Sequence, residues 1–257
     1  DAMCDLQFAM VMDLVSLRLW ALRVMGSLPL RCRCMFVVVE QCICVLPCDS
    51  AGRSDLRQIF VLSSADEDRV YSQGCYVEME APQPSFCRCE VAGSLCFIFP
   101  HDGEGNYDLA RVCVLDTELL TLRVCGSAFT SDPPSSAGTK LEIVVVGSKI
   151  VCVPLLPDLR WKLDGGFVVD TENDLRRTPL NFKGGSKRPP ECAFTLKVME
   201  SRVLLFGVDD YLRLNLAAVF YIDADKAEVD ECVLISSPDS ASAGEKGGGV
   251  PAPCKAA

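Results

Sequence analysis

Sixteen cysteines are the residues of this 257-residue chain best equipped for chemistry, and three pairs are spaced Cys-x-Cys: Cys32/Cys34, Cys42/Cys44 and Cys87/Cys89. In a strand, side chains i and i+2 share a face, so each pair would present two sulfurs together. Zinc sites, however, usually draw Cys-x2–4-Cys from turns and need four ligands to converge. The one histidine, His101, opens the stretch His101-Asp102-Gly103-Glu104-Gly105-Asn106. A lone imidazole excludes sites that need two His ligands, and no Gly-x-Ser-x-Gly supplies a nucleophile for it to activate. Asp102, Glu104, Asn106 and Asp108 alternate as hard oxygen ligands for Ca²⁺ would, without the length or terminal Glu of an EF-hand. Asp209-Asp210 is a second acidic pair, but glycosidase-type work needs a partner carboxylate at a set separation. Gly165-Gly166 precedes a strand and so makes no phosphate cradle at a helix start. No catalytic residue, metal site or cofactor is therefore expected.

The elements that must position these residues come from a repeat. Four phrases recur: VVEQCICVLP at 38–47, VAGSLCFIFP at 91–100, VVGSKIVCVP at 145–154 and VMESRVLLFG at 198–207. Their starts lie 53, 54 and 53 residues apart, the mark of a repeat architecture. A second anchor, the strand ends Ser63, Asp116, Asp170 and Asp223, keeps the same spacing. Alternating apolar residues predict a strand before each phrase, one after it across a loop, and a fourth beyond a tight turn. Asp-Thr-Glu at 116–118 and 170–172 suits that turn. Four strands per unit describe the blade of a β-propeller.

The expected fold is thus all-β: a propeller of about four full four-stranded antiparallel blades plus an N-terminal half blade. The boundaries read as a half blade at 1–30, blades at 31–83, 84–136, 137–190 and 191–237, and a Ser/Gly/Lys/Pro-rich tail at 238–257 that should be disordered. Alignment of the units re-reads the cysteines. Cys96 falls where other units have Ile43, Ile150 and Val203, Cys113 where they have Phe60, Phe167 and Phe220, and Cys152 where they have Val45, Ile98 and Leu205. Cysteine there behaves as a small buried hydrophobe. Unpaired buried thiols point to a reducing compartment, cytoplasmic or nuclear.

The Val-x-Gly-Ser turn into an apolar strand, followed by a Val-x-Asp strand, resembles the kelch repeat across most of 31–237. More loosely, the chain is similar to plant kelch-like propeller proteins, some of which carry an F-box. That resemblance implies a protein-binding platform and a non-enzymatic role, such as the recognition part of an F-box-type ubiquitin ligase adaptor. The alternative is a carbohydrate-active or other propeller enzyme using Asp102, Glu104, Asp209 or Asp210.

Antiparallel strands return to alternate ends, so loop lengths sort by face. The connections at 47–58, 100–111, 154–165 and 207–218 are long and share one face, with 125–138 and 179–192 beside them; the turns of the other face are short. Long loops on a rigid scaffold are where binding concentrates. On that face Arg160, Trp161, Lys162, Asp209, Asp210 and Tyr211 are the expected contact residues, with His101 and Tyr107 as a second group, because Trp, Tyr and Arg dominate binding hot spots; the alternatives are that Trp161 folds down onto its own blade and that Tyr211 begins a strand. A net charge of −10 disfavours nucleic acid and anionic membrane surfaces, and local basic patches such as 183–188 read as solvated loops. The apolar opening at 6–30 is interrupted by Asp13, Arg18 and Arg23 and does not read as a membrane span.

Overall fold

The computed structural model describes residues 4–5, 8–13, 18–25, 29–30, 33–66, 69–77, 85–130, 140–156, 160–183, 193–208 and 214–232. Near the N-terminus β1 (Cys4–Asp5) pairs with β4 (Pro29–Leu30), and between them β2 (Phe8–Asp13) and β3 (Arg18–Met25) form an antiparallel hairpin. Four consecutive meanders follow. The first holds β5 (Arg33–Val39), β6 (Cys42–Cys48), β7 (Gln58–Asp66) and β8 (Arg69–Tyr76). The second holds β9 (Phe86–Ala92), β10 (Leu95–His101), β11 (Cys113–Asp116) and β12 (Thr121–Val124). In the third are β13 (Leu141–Val146), β14 (Lys149–Pro154), β15 (Phe167–Asp170) and β16 (Arg176–Pro179), after which β17 (Asn181–Phe182) leads on. The fourth holds β18 (Ala193–Met199), β19 (Arg202–Val208), β20 (Leu214–Asp223) and β21 (Glu228–Glu231). Within each, every strand pairs antiparallel with the next in sequence. The described residues contain only strands, turns and three short 3₁₀ segments, and no helix among them is long and apolar enough to cross a membrane.

Alternation along each strand gives every sheet two apolar faces, and consecutive sheets bury them against one another. Cys44, Leu46, Ile59 and Val61 of the first sheet meet Cys96, Ile98, Cys113 and Leu115 of the second. The opposite face of the second, with Phe97, Phe99 and Val114, meets Ile143, Ile150, Phe167 and Val169 of the third. The third turns Val151, Val153 and Val168 towards Val203, Leu205, Phe220 and Ile222 of the fourth. Three face-to-face cores join the four sheets in sequence order.

The hairpin β2–β3 carries the third- and fourth-strand pattern of an earlier unit, and the structure adds a contact absent from the sequence reading. The end of β3 runs parallel to β8, pairing Arg23–Met25 with Arg69–Tyr71. Three repeats later β17 does the same to β21, pairing Asn181 with Glu228 and Phe182 with Val229. The outer strand of a unit thus overruns onto the outer edge of the next, so the expected half blade is hydrogen-bonded into a six-stranded sheet with the first meander. The tail at 238–257 lies outside the described residues.

Short turns are built alike in every unit. Val39/Cys42, Ala92/Leu95, Val146/Lys149 and Met199/Arg202 close two-residue hairpins. The first turn residue has positive φ each time: Glu40 at 51°, Gly93 at 57°, Gly147 at 57° and Glu200 at 51°. At the other short turn, Asp116 Oδ1 accepts the N–H groups of Glu118 and Leu119, and Asp170 Oδ1 those of Glu172 and Asn173. Thr117 and Thr171 donate to the carbonyls of Ser94 and Ser148, both at 2.8 Å, tying the two short turns of a unit together.

Two outcomes follow from these turns. A Cβ added at Gly93 or Gly147 meets nothing within 4 Å, so Gly93→Ala and Gly147→Ala should each lower stability by ~1 kcal/mol through backbone conformation alone. Glu200→Gly should not lower it, and urea unfolding midpoints that rank the three otherwise would refute the assignment. Burial works against the charge on Asp170, but the Lys149 ammonium 2.5 Å away, the Asn173 amide and the Glu172 N–H outweigh it and hold its pKa at about 2. A carboxylate depressed below its unfolded value of about 3.9 contributes stability that is whole above that pH and lost as pH falls through the folded pKa. Wild type should therefore lose stability between about pH 4 and pH 2 more steeply than Asp170→Asn, as read from acid unfolding followed by circular dichroism.

Candidate functional site

Three of the long connections fold by one plan. Asp49, Asp102 and Leu156 donate their N–H groups to the carbonyls of Arg53, Asn106 and Arg160 at 2.9, 3.0 and 2.8 Å. Cys48 bridges to Ser54, His101 to Tyr107 and Leu155 to Trp161, so each second strand folds back on itself before the chain crosses to the third. In the first two loops an Asp side chain organises the turn: Asp49 Oδ1 accepts from the N–H groups of Ala51 and Arg53, and Asp102 Oδ1 from those of Glu104 and Asn106. Gly52 at φ 86° and Gly105 at φ 83° supply the left-handed residue that closes the turn. The side-chain amide and backbone N–H of Asn106 hold the Asp102 carboxyl below its ordinary pKa, as the Arg53 N–H does first for Asp49.

The fold-back sends its last residue down over the core. Ser54, Tyr107 and Trp161 occupy this one repeat position, and all three are buried. Tyr107 lies edge-on to Phe99 at 6.3 Å and to His101 at 5.6 Å. His101, in turn, stacks on Phe86 at 5.8 Å, so the structure brings His101 and Tyr107 together as the sequence paired them. Nδ1 of His101 sits 2.6 Å from the Asp102 carbonyl. A carbonyl only accepts, so this nitrogen is the donor.

Trp161 departs from the expectation of an exposed contact. It is 6% exposed and packs edge-on against Phe194, 5.8 Å away, as part of the core between the third and fourth sheets. An aromatic at the end of the fold-back has the inter-sheet core directly beneath it, and burying it there gains more than leaving it in water. Arg160 and Lys162, on either side, remain exposed. Asp209, Asp210 and Tyr211 lie outside the described residues. Their loop is also shorter than expected: β19 and β20 stay paired, past a register shift, as far as Val208 and Leu214.

Two arginines were missed by sequence reasoning. Arg88 donates through Nε to Glu90 at 2.7 Å and through Nη2 to the Ile143 carbonyl at 2.8 Å, with Glu142 at 3.5 Å, clipping the second sheet to the third along their first strands. Burial opposes its charge, and Glu90 and the Tyr107 hydroxyl more than offset that. Arg177 works at the opposite edge. Its guanidinium lies 3.8 Å from the Phe167 ring centroid and donates to the carbonyls of Phe129 and Thr130. Charged residues inside an apolar strand, Arg88 and Glu90 against Met35 and Val37 of the first unit, were the available signal.

The cysteines fill space as the alignment suggested. Cys44, Cys96, Cys113 and Cys152 are fully buried, Cys48, Cys75 and Cys125 nearly so, and these seven, with Cys34, Cys42, Cys87, Cys89 and Cys232, are free thiols. Burial pushes the Cys113 thiol up to about 11 and those of Cys87 and Cys125 up to about 12. Neutral thiols are poor nucleophiles and poor ligands. Among the described residues no three His, Cys, Asp or Glu side chains are placed to share a metal ion.

If Trp161 is a core plug, Trp161→Ala should cost ~3–5 kcal/mol, whereas Arg160→Ala next to it should stay within about ±0.5 kcal/mol. Chemical denaturation of the two variants separates the roles, and equal small effects would return Trp161 to the surface.

No protein-family model matches the chain, and no curated protein matches it. Among solved structures, apo AztD from Citrobacter koseri aligns over 88% of this chain and 66% of its own at 8% identity, with a TM-score of 0.39. A second structure of Citrobacter koseri AztD aligns over 91% of this chain and 80% of its own at 12% identity, with a TM-score of 0.33. The chain thus spans just under two thirds of the first. Likenesses this low carry neither family nor function across.

Proposed function

We propose that the four sheets belong to a kelch-type β-propeller and that the protein binds another protein through its long-loop face, catalysing no reaction. The observation that carries this reading is the shared plan of the loops after β6, β10 and β14. Their backbone hydrogen bonds repeat while the side chains at their tips change, from Ala51-Gly52-Arg53 to Glu104-Gly105-Asn106 to Arg160. A fixed frame carrying variable tips suits recognition, because little loop entropy is lost on binding. His101, Arg160 and Lys162 are the described contact residues, Tyr107 supports His101 from below, and Asp209, Asp210 and Tyr211 complete the set. The free, high-pKa thiols favour a cytoplasmic or nuclear setting, in which the recognition part of an F-box-type ligase adaptor is the role that fits best.

The enzyme alternative asks Asp102 to exchange a proton. Both of its carboxylate oxygens already accept hydrogen bonds from its own loop, and its pKa is shifted down, away from that of a general acid. Affinity capture with the whole protein should compare wild type with a His101→Ala, Arg160→Glu, Lys162→Glu variant of unchanged unfolding midpoint. The variant should lose the specific partners of wild type; identical capture by both would end the long-loop assignment.

A further inference from the structure

Four sulfur atoms touch one after another inside the core between the first and second sheets. The Cys89 thiol donates to the Met35 thioether, 3.7 Å away. Cys96 is hydrogen-bonded on one side to Cys89 and on the other to Cys44. Met35 and Cys44 come from β5 and β6 of the first sheet, Cys89 and Cys96 from β9 and β10 of the second. Register explains the second pair: Cys89 faces Ile98 and Cys96 faces Val91, so the two cysteines are diagonal neighbours on the core side of one hairpin. Cys44 and Cys96 are fully buried, whereas Met35 and Cys89 are partly exposed. Filling volume does not require this set. The same four positions between the second and third sheets hold Arg88, Phe97, Ile143 and Ile150, and between the third and fourth Glu142, Val151, Leu196 and Val203. Sulfur occupies all four in one core and none in the other two. Met35 in particular stands where later units have Arg88, Glu142 and Thr195, so its thioether does not follow an apolar pattern.

We propose that this cluster binds one soft monovalent cation, copper(I), through the thiolates of Cys89 and Cys96 and the thioether of Met35. Thiolate and thioether sulfur select copper(I) over harder ions. Zinc would need four converging ligands, and no three His, Cys, Asp or Glu side chains among the described residues are placed to supply them; two thiolates and a thioether make no such demand. Binding exchanges protons for metal: two S–H bonds break, two S–Cu bonds form, and both protons leave to solvent. The Cys44 thiol keeps its hydrogen and donates it to the Cys96 sulfur, where negative charge gathers. The ion enters at the first-strand edge, where Met35 and Cys89 reach water. None of these residues belongs to the long loops, so the site stands or falls apart from the function proposed above.

The probe is copper(I) itself, presented without oxygen to the whole reduced protein as its bathocuproine disulfonate complex, whose absorbance falls as the protein withdraws the metal. Wild type should withdraw one equivalent that Cys89→Ser and Cys96→Ala each hold at least about tenfold more weakly. Cys75→Ala, a control in the same core, should hold it as wild type does. X-ray absorption of the loaded protein should show copper surrounded by sulfur alone, with one sulfur lost in Met35→Leu. That substitution conserves volume, so it keeps the comparison sound should Cys89→Ser lower the unfolding midpoint. No uptake against the chelator, uptake equal in wild type and every variant, or nitrogen or oxygen around the copper would overturn the proposal.

Discussion

The sheets of the four meanders carry apolar rows on both sides, and that constraint governs the rest. A strand such as β6 sends Cys44 and Leu46 one way and Ile43 and Val45 the other, so no orientation of a lone sheet hides both rows from water. Each fully buried Val, Leu or Phe contributes about 1.5–3 kcal/mol, so a row of four or five is comparable with the whole stability of a typical domain. A single unit cannot fold alone, and neighbours must stack face to face in sequence order. The arginine clips then set how the second and third sheets meet. Arg88 holds the first-strand edge by bonding a backbone carbonyl of the following layer, and Arg177 the fourth-strand edge by bonding two of the preceding one.

That stacking frees the loops. Because the sheets fix where each second strand ends and each third strand begins, the connection between them needs only to fold back and plug the core beneath it. Ser54, Tyr107 and Trp161 show how tolerant the plug is of size, and Asp49 and Asp102 show how a carboxylate can be committed to the turn itself.

The period made the four meanders legible, because two independent anchors at constant spacing leave little freedom of register, and strand limits fall within a few residues of the expected ones. The sequence left two places open for Trp161, the loop surface and the core of its own blade, and its burial settles on the core. Residue type says how strongly a side chain would bind, whereas its repeat equivalents Ser54 and Tyr107 say where it points. The arginine clips left only a faint mark, since their partners are carbonyls of residues 47 to 55 positions away and backbone acceptors have no sequence signature. The fourth loop has a clearer physical reason. Pro100 and Pro154 accept from Asp108 and Lys162 on the third-strand side, where their ring nitrogens have no hydrogen to give, so pairing stops there. Gly207 stands at the matching position, and with its N–H available β19 and β20 run on together to Val208 and Leu214.

The distribution of sulfur shows the same logic at the level of volume. Cys44, Cys75, Cys96 and Cys113 gather in the core between the first and second sheets, which holds no buried ring, while the next core takes Phe97, Phe99, Phe129 and Phe167 beside Cys125 and Cys152. Cys113 stands at the position of Phe60, Phe167 and Phe220, so one unit has exchanged a ring for a thiol at a fixed place in the sheet. A smaller filling requires the layers to approach, since an unfilled gap forfeits dispersion contacts on both sides. At the outer edge of that core β8 and β12 are neighbours, and the Cys75 thiol donates to the Leu120 carbonyl at 3.4 Å. Between the second and third sheets the neighbouring strands are instead β9 and β13, at the first-strand edge. Side-chain volume thus varies unit by unit within one backbone plan, with the Cys113 thiol taking in the first core the place that a phenyl ring takes in the others.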